Sequence, residues 1–483
     1  MNPNLVFLLA FIALALPSSL PAQQCTIIRT PQWMITPQGP FVQAESEALR
    51  LRFAYDARGA EGWFKGGGGC DGSIVELYHK PTSATRNLVP RNGPWGGKKD
   101  ALDFWELEPA AQDGADHNAP QFSSAADGVL LNHTVRQSAG RLISTCDIQL
   151  QTFRIRRTHI IYPWGDITMH ARIEHIAPCR WNYLGHRFDF GVKPYQIQNG
   201  KTTYNWGGLY QTDGEYYYAF SDLYGPDGKH ANAEPFIYKE QIVDNLNKNT
   251  AVSMYNRQDP YSGFMIEDKN GNDPDIVVMN GDKATWFSPF DRIARKIGGV
   301  NYVETGIYTP FYAKAKHTEA SCCWFYATIP RNPIIYNAPL LWPADLGVWE
   351  ESFHILLRQD LDAEDYLPLW RYRVRGLEEH RPRQVEGARV ELNNVDRLYH
   401  VIADPGAKAI RFTWSGGELP ADIEPRTAFL LEGVGPIAGV KIDGEVAPKV
   451  DVYPDEAEKT ALLVLRGPQP GGPVTMTVIL AVK

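Results

Sequence analysis

Residues 166–174 read DITMHARIE, and their alternation decides the fold. Ile167, Met169, Ala171 and Ile173 share one face of an extended chain, while Asp166, Thr168, His170, Arg172 and Glu174 share the other. That period of two is the signature of a strand buried on one side. Outward from it, Ala48 to about Arg331 reads as many such strands, punctuated by the turn clusters GGGGCDG (66–72), NGPWGG (92–97), YGPDG (224–228) and DKNGND (268–273). A Pro-rich passage, IPRNPIIYNAPLLWPAD (329–345), leads into EDYLPLWRYRVRGLEE (364–379), the best helical candidate, with Pro368 in its first turn. Strands return beyond it in RLYHVIAD, KAIRFTWSG, TALLVLRG and VTMTVILAVK, a spacing that suits a small β-sandwich. The expected architecture is all-β: a large antiparallel β-sandwich over 23–335, a Pro-rich and helical bridge over 336–384 and a C-terminal β-sandwich over 385–483. No fixed repeat recurs, which argues against a solenoid or propeller.

Length and composition agree. The chain has 483 residues, 43% of them hydrophobic, enough for roughly two to three domains with their own cores. Lys plus Arg number 48 against 56 Asp plus Glu, a formal charge of -8 that argues against nucleic acid as the partner. The 13 Trp and 23 Tyr suit an all-β protein that stacks on sugars as well as an ordinary core. Residues 5–16, LVFLLAFIALAL, followed by PSSLPAQQ with a small residue at Ala22, predict a secretory signal peptide over 1–22. The run is too short for a membrane span and no later one reaches that length, so a secreted product without stable membrane insertion is expected. Six cysteines, Cys25, Cys70, Cys146, Cys179, Cys322 and Cys323, permit disulfides in an oxidising compartment and show no zinc-site spacing. Adjacent Cys322 and Cys323, in the strand-like ASCCWFYATI, point to opposite faces.

Several familiar motifs fail on context. Gly67, Gly69 and Gly72 spell GxGxxG, yet a strand follows rather than the helix that a nucleotide fingerprint needs. Asp268, Asn270 and Asn272 imitate a calcium loop, but Asp273 stands where the sharp turn needs Gly and Met279 where it needs a bidentate Glu, so a hairpin turn is expected. No Walker sequence, GxSxG elbow or HExxH occurs. No cofactor is required by these readings, and a bound calcium ion is the one exception left open.

The richest region, His159 to Arg187, holds His159, His170, His175 and His186. His170 shares the polar face with Arg172 and Glu174, whereas His175 continues the apolar one. WNYLGHRFDF (181–190) gathers Trp181, Tyr183, His186 and Arg187 in or beside a turn at Gly185. In NYVETGIY (301–308) Tyr302, Glu304 and Tyr308 alternate with Val303, Thr305 and Ile307, giving a second polar face. YNWGGLYQTDGEYYYAF (204–220) offers Trp206 and Tyr210 as a sugar platform.

GCDGSIVELYHKPTSATRNLV (69–89), with its Gly-led strand GSIVELY, and the later YPWGDITMHARIEH (162–175) resemble the galactose-mutarotase-like super-β-sandwich of carbohydrate-active proteins. The resemblance covers about residues 40–330. The two catalytic histidines and late glutamate of true mutarotases find no match here. The layout, a large sandwich followed by a smaller β-domain, is closer to that of some polysaccharide lyases. The resemblance implies a polysaccharide or oligosaccharide substrate. In a lyase, Arg187 or Arg172 would neutralise a uronate, His186 or His170 would take the proton beside its carboxylate, and Tyr183 would return one to the leaving oxygen. In a glycoside hydrolase Glu174 and Glu304 would be the paired carboxylates. In a non-catalytic binding protein, Trp181, Trp206, Tyr210, Tyr302 and Tyr308 would do the work.

Overall fold

The computed structural model describes residues 25–55, 72–85, 87–89, 105–111, 129–149, 153–176 and 179–190, short strands between 196 and 342, and 348–359. Towards the C-terminus it describes 380–393, 395–416, 427–446, 450–466 and 472–481. Every regular element among them is a β-strand, so the chain is all-β with several antiparallel sheets. The leader at 1–22 and the helical candidate at 364–379 lie outside the described residues.

Two compact units emerge. The larger comprises 30–379 with 392–399, and the smaller comprises 1–29, 380–391 and 400–483. At the heart of the larger unit is a nine-stranded sheet. Its order is Phe236–Gln241, Glu215–Ser221, Ser262–Asp268, Asp275–Asn280, Val348–Arg358, Ile167–His175, Phe153–Ile161, Arg141–Gln149 and Val129–Ser138. Neighbours pair antiparallel throughout. Residues 348–358, assigned by sequence to the bridge, are thus a central strand between the Asp275 and Ile167 strands. Leu340–Trp342 likewise pairs with the Cys179 strand. In the sequence the density of prolines from 330 to 343 suggests a connecting passage, whereas Phe353, Ile355 and Leu357 carry a strand's alternation.

A second sheet joins Ser253–Met254, Ile307–Tyr308, Ser321–Ala327, Cys179–Phe190 and Leu340–Trp342, with Trp105–Ala111 also pairing the Cys179 strand. Cys322 and Cys323 sit in it at consecutive strand positions. The stretch imitating a calcium loop joins two antiparallel neighbours, since Asp268 ends one strand and Asp275 opens the next. Residues 269–273, where the turn is expected, lie outside the described residues.

A four-stranded meander, Met34–Gln38, Phe41–Glu45, Leu49–Ala54 and Ile74–His79, covers one face of the nine-stranded sheet. Leu49, Leu51, Phe53 and Leu77 are fully buried, each side chain contributing about 1.5–3 kcal/mol of hydrophobic stabilisation. Phe53 packs its ring 6.1 Å from His159 and 6.5 Å from His133. Gly72 is required at the entry to the Ile74 strand. It adopts φ +86°, and a Cβ there would lie 2.8 Å from the Cys146 Sγ.

The smaller unit is a pair of sheets. One runs Thr26–Ile27, Val450–Asp455, Thr460–Leu465, Ala428–Glu432, Tyr399–Ala403, Ala388–Leu392; the other runs Arg383–Glu386, Ala409–Trp414, Val474–Leu480, Ile437–Ile442, Glu445–Val446. Inward Ile410, Phe412 and Trp414 alternate with outward Ala409, Arg411 and Thr413. Trp414 meets Phe429 edge-on at 5.5 Å. The N-terminal Thr26–Ile27, which the sequence assigned to the large sandwich, pairs parallel with Val450–Asp455 instead. Cys25 beside it is a buried free thiol.

Candidate functional site

Strand register sorts the side chains of the Ile167 strand. One face, carrying Met169 and Ala171, meets the four-stranded meander, and its register partners are Phe353 on one side and His159 and Arg157 on the other. Here the core is unusually polar. His133 Nδ1 lies 3.3 Å from the Tyr55 carbonyl and Nε2 lies 3.0 Å from the Ser144 hydroxyl. A neutral ring satisfies both bonds, donating from Nδ1 and accepting at Nε2. Burial, reinforced by Arg157, pulls His133 down to about 4, against the opposing effect of the Tyr55 carbonyl. Burial and the Arg157 charge also hold His159 well below the usual imidazole range. Arg157 is fully buried, with Nη1 3.3 Å from the Ser73 hydroxyl.

The opposite face is the candidate site. Across the strands beginning at Arg141, Phe153, Ile167 and Val348, register places Thr145, Thr158, His170 and Ser352 in one row. The next row, towards Asp166, sets Thr168 against His354, with Thr168 Oγ1 and His354 Nδ1 3.0 Å apart. The row on the other side of His170 is Asp147, Arg156, Arg172 and Glu350. Thr158, Thr168, His170, Ser352 and His354 are buried, whereas Arg172 is 37% exposed and Arg156 is 54% exposed. The polar face therefore passes from buried hydroxyls and imidazoles to an open band of charge within two rows.

Local geometry anchors this strand. Tyr162 N donates to the Asp166 carbonyl at 2.8 Å, closing the turn before it. Gly165 holds φ +110°, and a Cβ there would press 3.3 Å from the Leu357 carbonyl. Asp166 then pairs with Arg358 at 2.5 Å, both largely buried. At the open end Arg172 reaches Glu174 through Nη1 and Glu350 through Nε, each at 3.4 Å. Arg154 lies 3.9 Å from Glu174. Arg156 makes a two-pronged contact with Asp147, Nε to Oδ1 at 2.7 Å and Nη2 to Oδ2 at 3.2 Å. That contact raises its already high pKa further.

Of the residues singled out by sequence, His170, Arg172 and Glu174 come together on this face. Trp181, Tyr183, His186 and Arg187 lie on a strand of the other sheet. Gly185 is inside that continuous strand, opposite Tyr326 and Glu108, so the expected turn is absent there. Pairing on both sides carries the backbone straight through the glycine. Position 186 has the opposite strand parity to 183 and 187, which splits the expected Tyr, His and Arg set. Tyr302 pairs with Arg295 in a two-stranded sheet and Tyr308 pairs with Ser253 and Trp324 in another, so NYVETGIY is two strands rather than one face. Glu304, Trp206 and Tyr210 lie outside the described residues.

Sequence reasoning missed His354, Ser352 and Glu350, hidden in the supposed bridge, and also Arg156, Thr158 and Asp147. Alternation shows only in 352–355 and is hidden elsewhere, because charged or polar Glu351, Arg157 and His159 take the positions that face away from the candidate site. Glu350, Ser352 and His354 interleave with Glu351, Phe353 and Ile355, and Arg154, Arg156 and Thr158 interleave with Ile155, Arg157 and His159. Among the described residues no cluster of three or more His, Cys, Asp or Glu is arranged to hold a metal, and no helix is long and apolar enough to cross a membrane.

No family model and no curated protein matches the chain. Solved structures resemble it weakly. A galactose 1-epimerase from Lactobacillus acidophilus is 7% identical, over 69% of this chain and 99% of its own, with a TM-score of 0.35. A putative aldose 1-epimerase from Escherichia coli K12 is 8% identical, over 68% of this chain and 99% of its own, with a TM-score of 0.30. A polysaccharide lyase is 11% identical over 85% of this chain, which spans only 44% of the lyase, at a TM-score of 0.30. The class that the strands and sheets define is an all-β, multi-sheet protein.

Proposed function

We propose that the chain is a secreted carbohydrate-active enzyme, a polysaccharide lyase that cleaves a uronate-containing glycan by β-elimination on the polar face of the nine-stranded sheet. The observation that carries this reading is the pairing of His170 and Arg172. They are two residues apart on one face of a central strand, about 7 Å along it, with the imidazole buried and the guanidinium half-open to solvent. β-Elimination needs that combination. A base removes the weakly acidic C5 proton, a cation holds the adjacent carboxylate as charge flows into it, the C4–O4 bond breaks as the C4–C5 double bond forms, and the leaving oxygen gains a proton. His170 takes the role of base and Arg172 that of carboxylate clamp. Tyr183, His186 and Arg187 belong to a different sheet and are not needed for this assignment.

One observation favours a second reading. Glu174 and Glu350 both contact Arg172 at 3.4 Å, which puts two carboxylates in one locality, as a glycoside hydrolase requires. Both are engaged by the same guanidinium rather than set on opposite sides of an open cleft where a scissile bond would lie, which ranks hydrolysis second.

The test is to incubate the mature protein with a panel of acidic and neutral polysaccharides, following reducing ends and the ultraviolet absorbance of an unsaturated uronate. Both signals should rise together on an acidic glycan. His170→Gln should lower kcat by about 10²–10⁴-fold, and Arg172→Ala should lower kcat as well as raise KM, because its guanidinium is assigned to the charge that develops on the carboxylate. Reducing ends without absorbance would replace the lyase with the hydrolase, and silence in both would reject catalysis on these substrates.

A further inference from the structure

Arg156 is an unexpected neighbour for Arg172. The two are direct register partners on adjacent strands, and like charges placed directly opposite each other destabilise a sheet. Their row offers only outer compensation. Asp147 flanks Arg156 from the Arg141 strand and Glu350 flanks Arg172 from the Val348 strand, giving the order Asp147, Arg156, Arg172, Glu350 across four strands. Each carboxylate pairs with the arginine beside it. Arg156 spends Nε and Nη2 on Asp147, and neither bond uses Nη1. Arg172 spends Nε on Glu350 and Nη1 on Glu174. Each guanidinium thus keeps a nitrogen outside these bonds, Nη1 on Arg156 and Nη2 on Arg172, and the two side chains occupy adjacent positions of one row, 54% and 37% exposed, next to the buried His170 row.

We infer that Arg156 and Arg172 form a two-arginine clamp for one anionic group of the ligand, a carboxylate or a sulfate ester, and that Asp147 tunes the clamp by competing with that anion for Arg156. This rests on reading the face as a site for acidic glycans, and it adds a residue outside the base and carboxylate clamp already assigned. An anion between the guanidiniums relieves their mutual repulsion and accepts charge-assisted bonds from both. Asp147, only 15% exposed, holds Arg156 through two bonds that an incoming anion would have to compete with.

The two variants that test this have opposite expected signs. Wild type, Arg156→Gln and Asp147→Asn are titrated by calorimetry with polygalacturonate, dextran sulfate and neutral dextran. Arg156→Gln should weaken polyanion binding about tenfold and flatten its salt dependence. Asp147→Asn keeps an oxygen acceptor for Arg156 but removes the competing charge, so it should tighten binding several-fold. Binding of polygalacturonate alone identifies a carboxylate site, binding of dextran sulfate as well includes sulfate, and neutral dextran should be indifferent to both variants. Each variant should melt within about 3 °C of wild type, since the pair is solvent-exposed on the arginine side. If the arginine serves only its own ion pair, both variants will shift stability together and leave affinity unchanged, and that result overturns the clamp. A wild type that binds and cleaves an acidic glycan while both variants match it overturns the clamp but not the lyase. A wild type that binds neither polyanion overturns both.

Discussion

Lowering the pH from 7.5 to 5 should destabilise the larger unit through its buried histidines. His79 and His133 both titrate near 4, where an imidazole in an unfolded chain titrates near 6.5. Burial is the main cause in each, with Arg358 adding to it for His79 and Arg157 for His133. The sign follows from proton counting. Above pH 6.5 both rings are neutral in either state and contribute no pH dependence. Between 6.5 and 4 the unfolded chain binds protons that the folded one refuses, so stability falls with pH; below 4 the loss levels off. At pH 5 the loss is about 2 kcal/mol for each histidine, about 4 kcal/mol for the two. His159, held down more strongly by full burial and Arg157, adds in the same direction. Urea titrations at pH 7.5, 6 and 5, read by amide exchange in the strands from 129 to 161, should show the decline. His133→Asn should remove about 2 kcal/mol of it even if the variant is less stable at every pH. Equal stability at pH 7.5 and 5, or an unchanged slope in His133→Asn, would refute the reasoning.

Other perturbations probe packing. Gly72→Ala should cost about 3 kcal/mol or more, because φ +86° and the approach of Cys146 both oppose a Cβ; a melting point unchanged from wild type would contradict the close approach. Asp396→Ala strips the buried Arg141 of a partner at 3.1 Å and the Leu398 amide of its acceptor, and should cost about 3–5 kcal/mol in chemical denaturation, a loss below 1 kcal/mol counting against the pair. Trp414→Ala removes a fully enclosed indole packed against Phe429 and should cost about 3–5 kcal/mol, seen as loss of amide protection across 409–480.

How much of this was legible beforehand depended on whether a residue's role is local. Period-two alternation in 166–174 is local, and it correctly assigned Met169 and Ala171 to the core and His170 to the polar face. The expected turn at Gly185 failed because pairing on both flanks, with the Ser321 and Trp105 strands, is a long-range property that outweighs a glycine's preference for turns. The same holds for 348–358. Its alternation is visible, but what makes it central rather than a bridge is its pairing with residues nearly two hundred positions earlier, as in His354 beside Thr168. Register cannot be read from one strand. Arg156, His354 and Asp147 therefore stayed ordinary residues until their neighbours were known.

Register also explains why histidines crowded in sequence part company in space. His159 and His170 lie on neighbouring strands, yet the partner of His159 is Met169 and the partner of His170 is Thr158. A single step of register puts the two rings on opposite faces of the sheet. His159 then joins Arg157 and His133 against the meander, where charge is suppressed and the rings serve the core. His170 joins hydroxyls and His354 at the edge of an arginine and carboxylate band, the setting on which the proposed role as base rests. One strand thus separates the core histidines from those of the candidate site, so the lyase reading and the acid-stability prediction can be tested on the same protein with variants on opposite faces: His133→Asn should alter the pH dependence of stability, and His170→Gln the turnover.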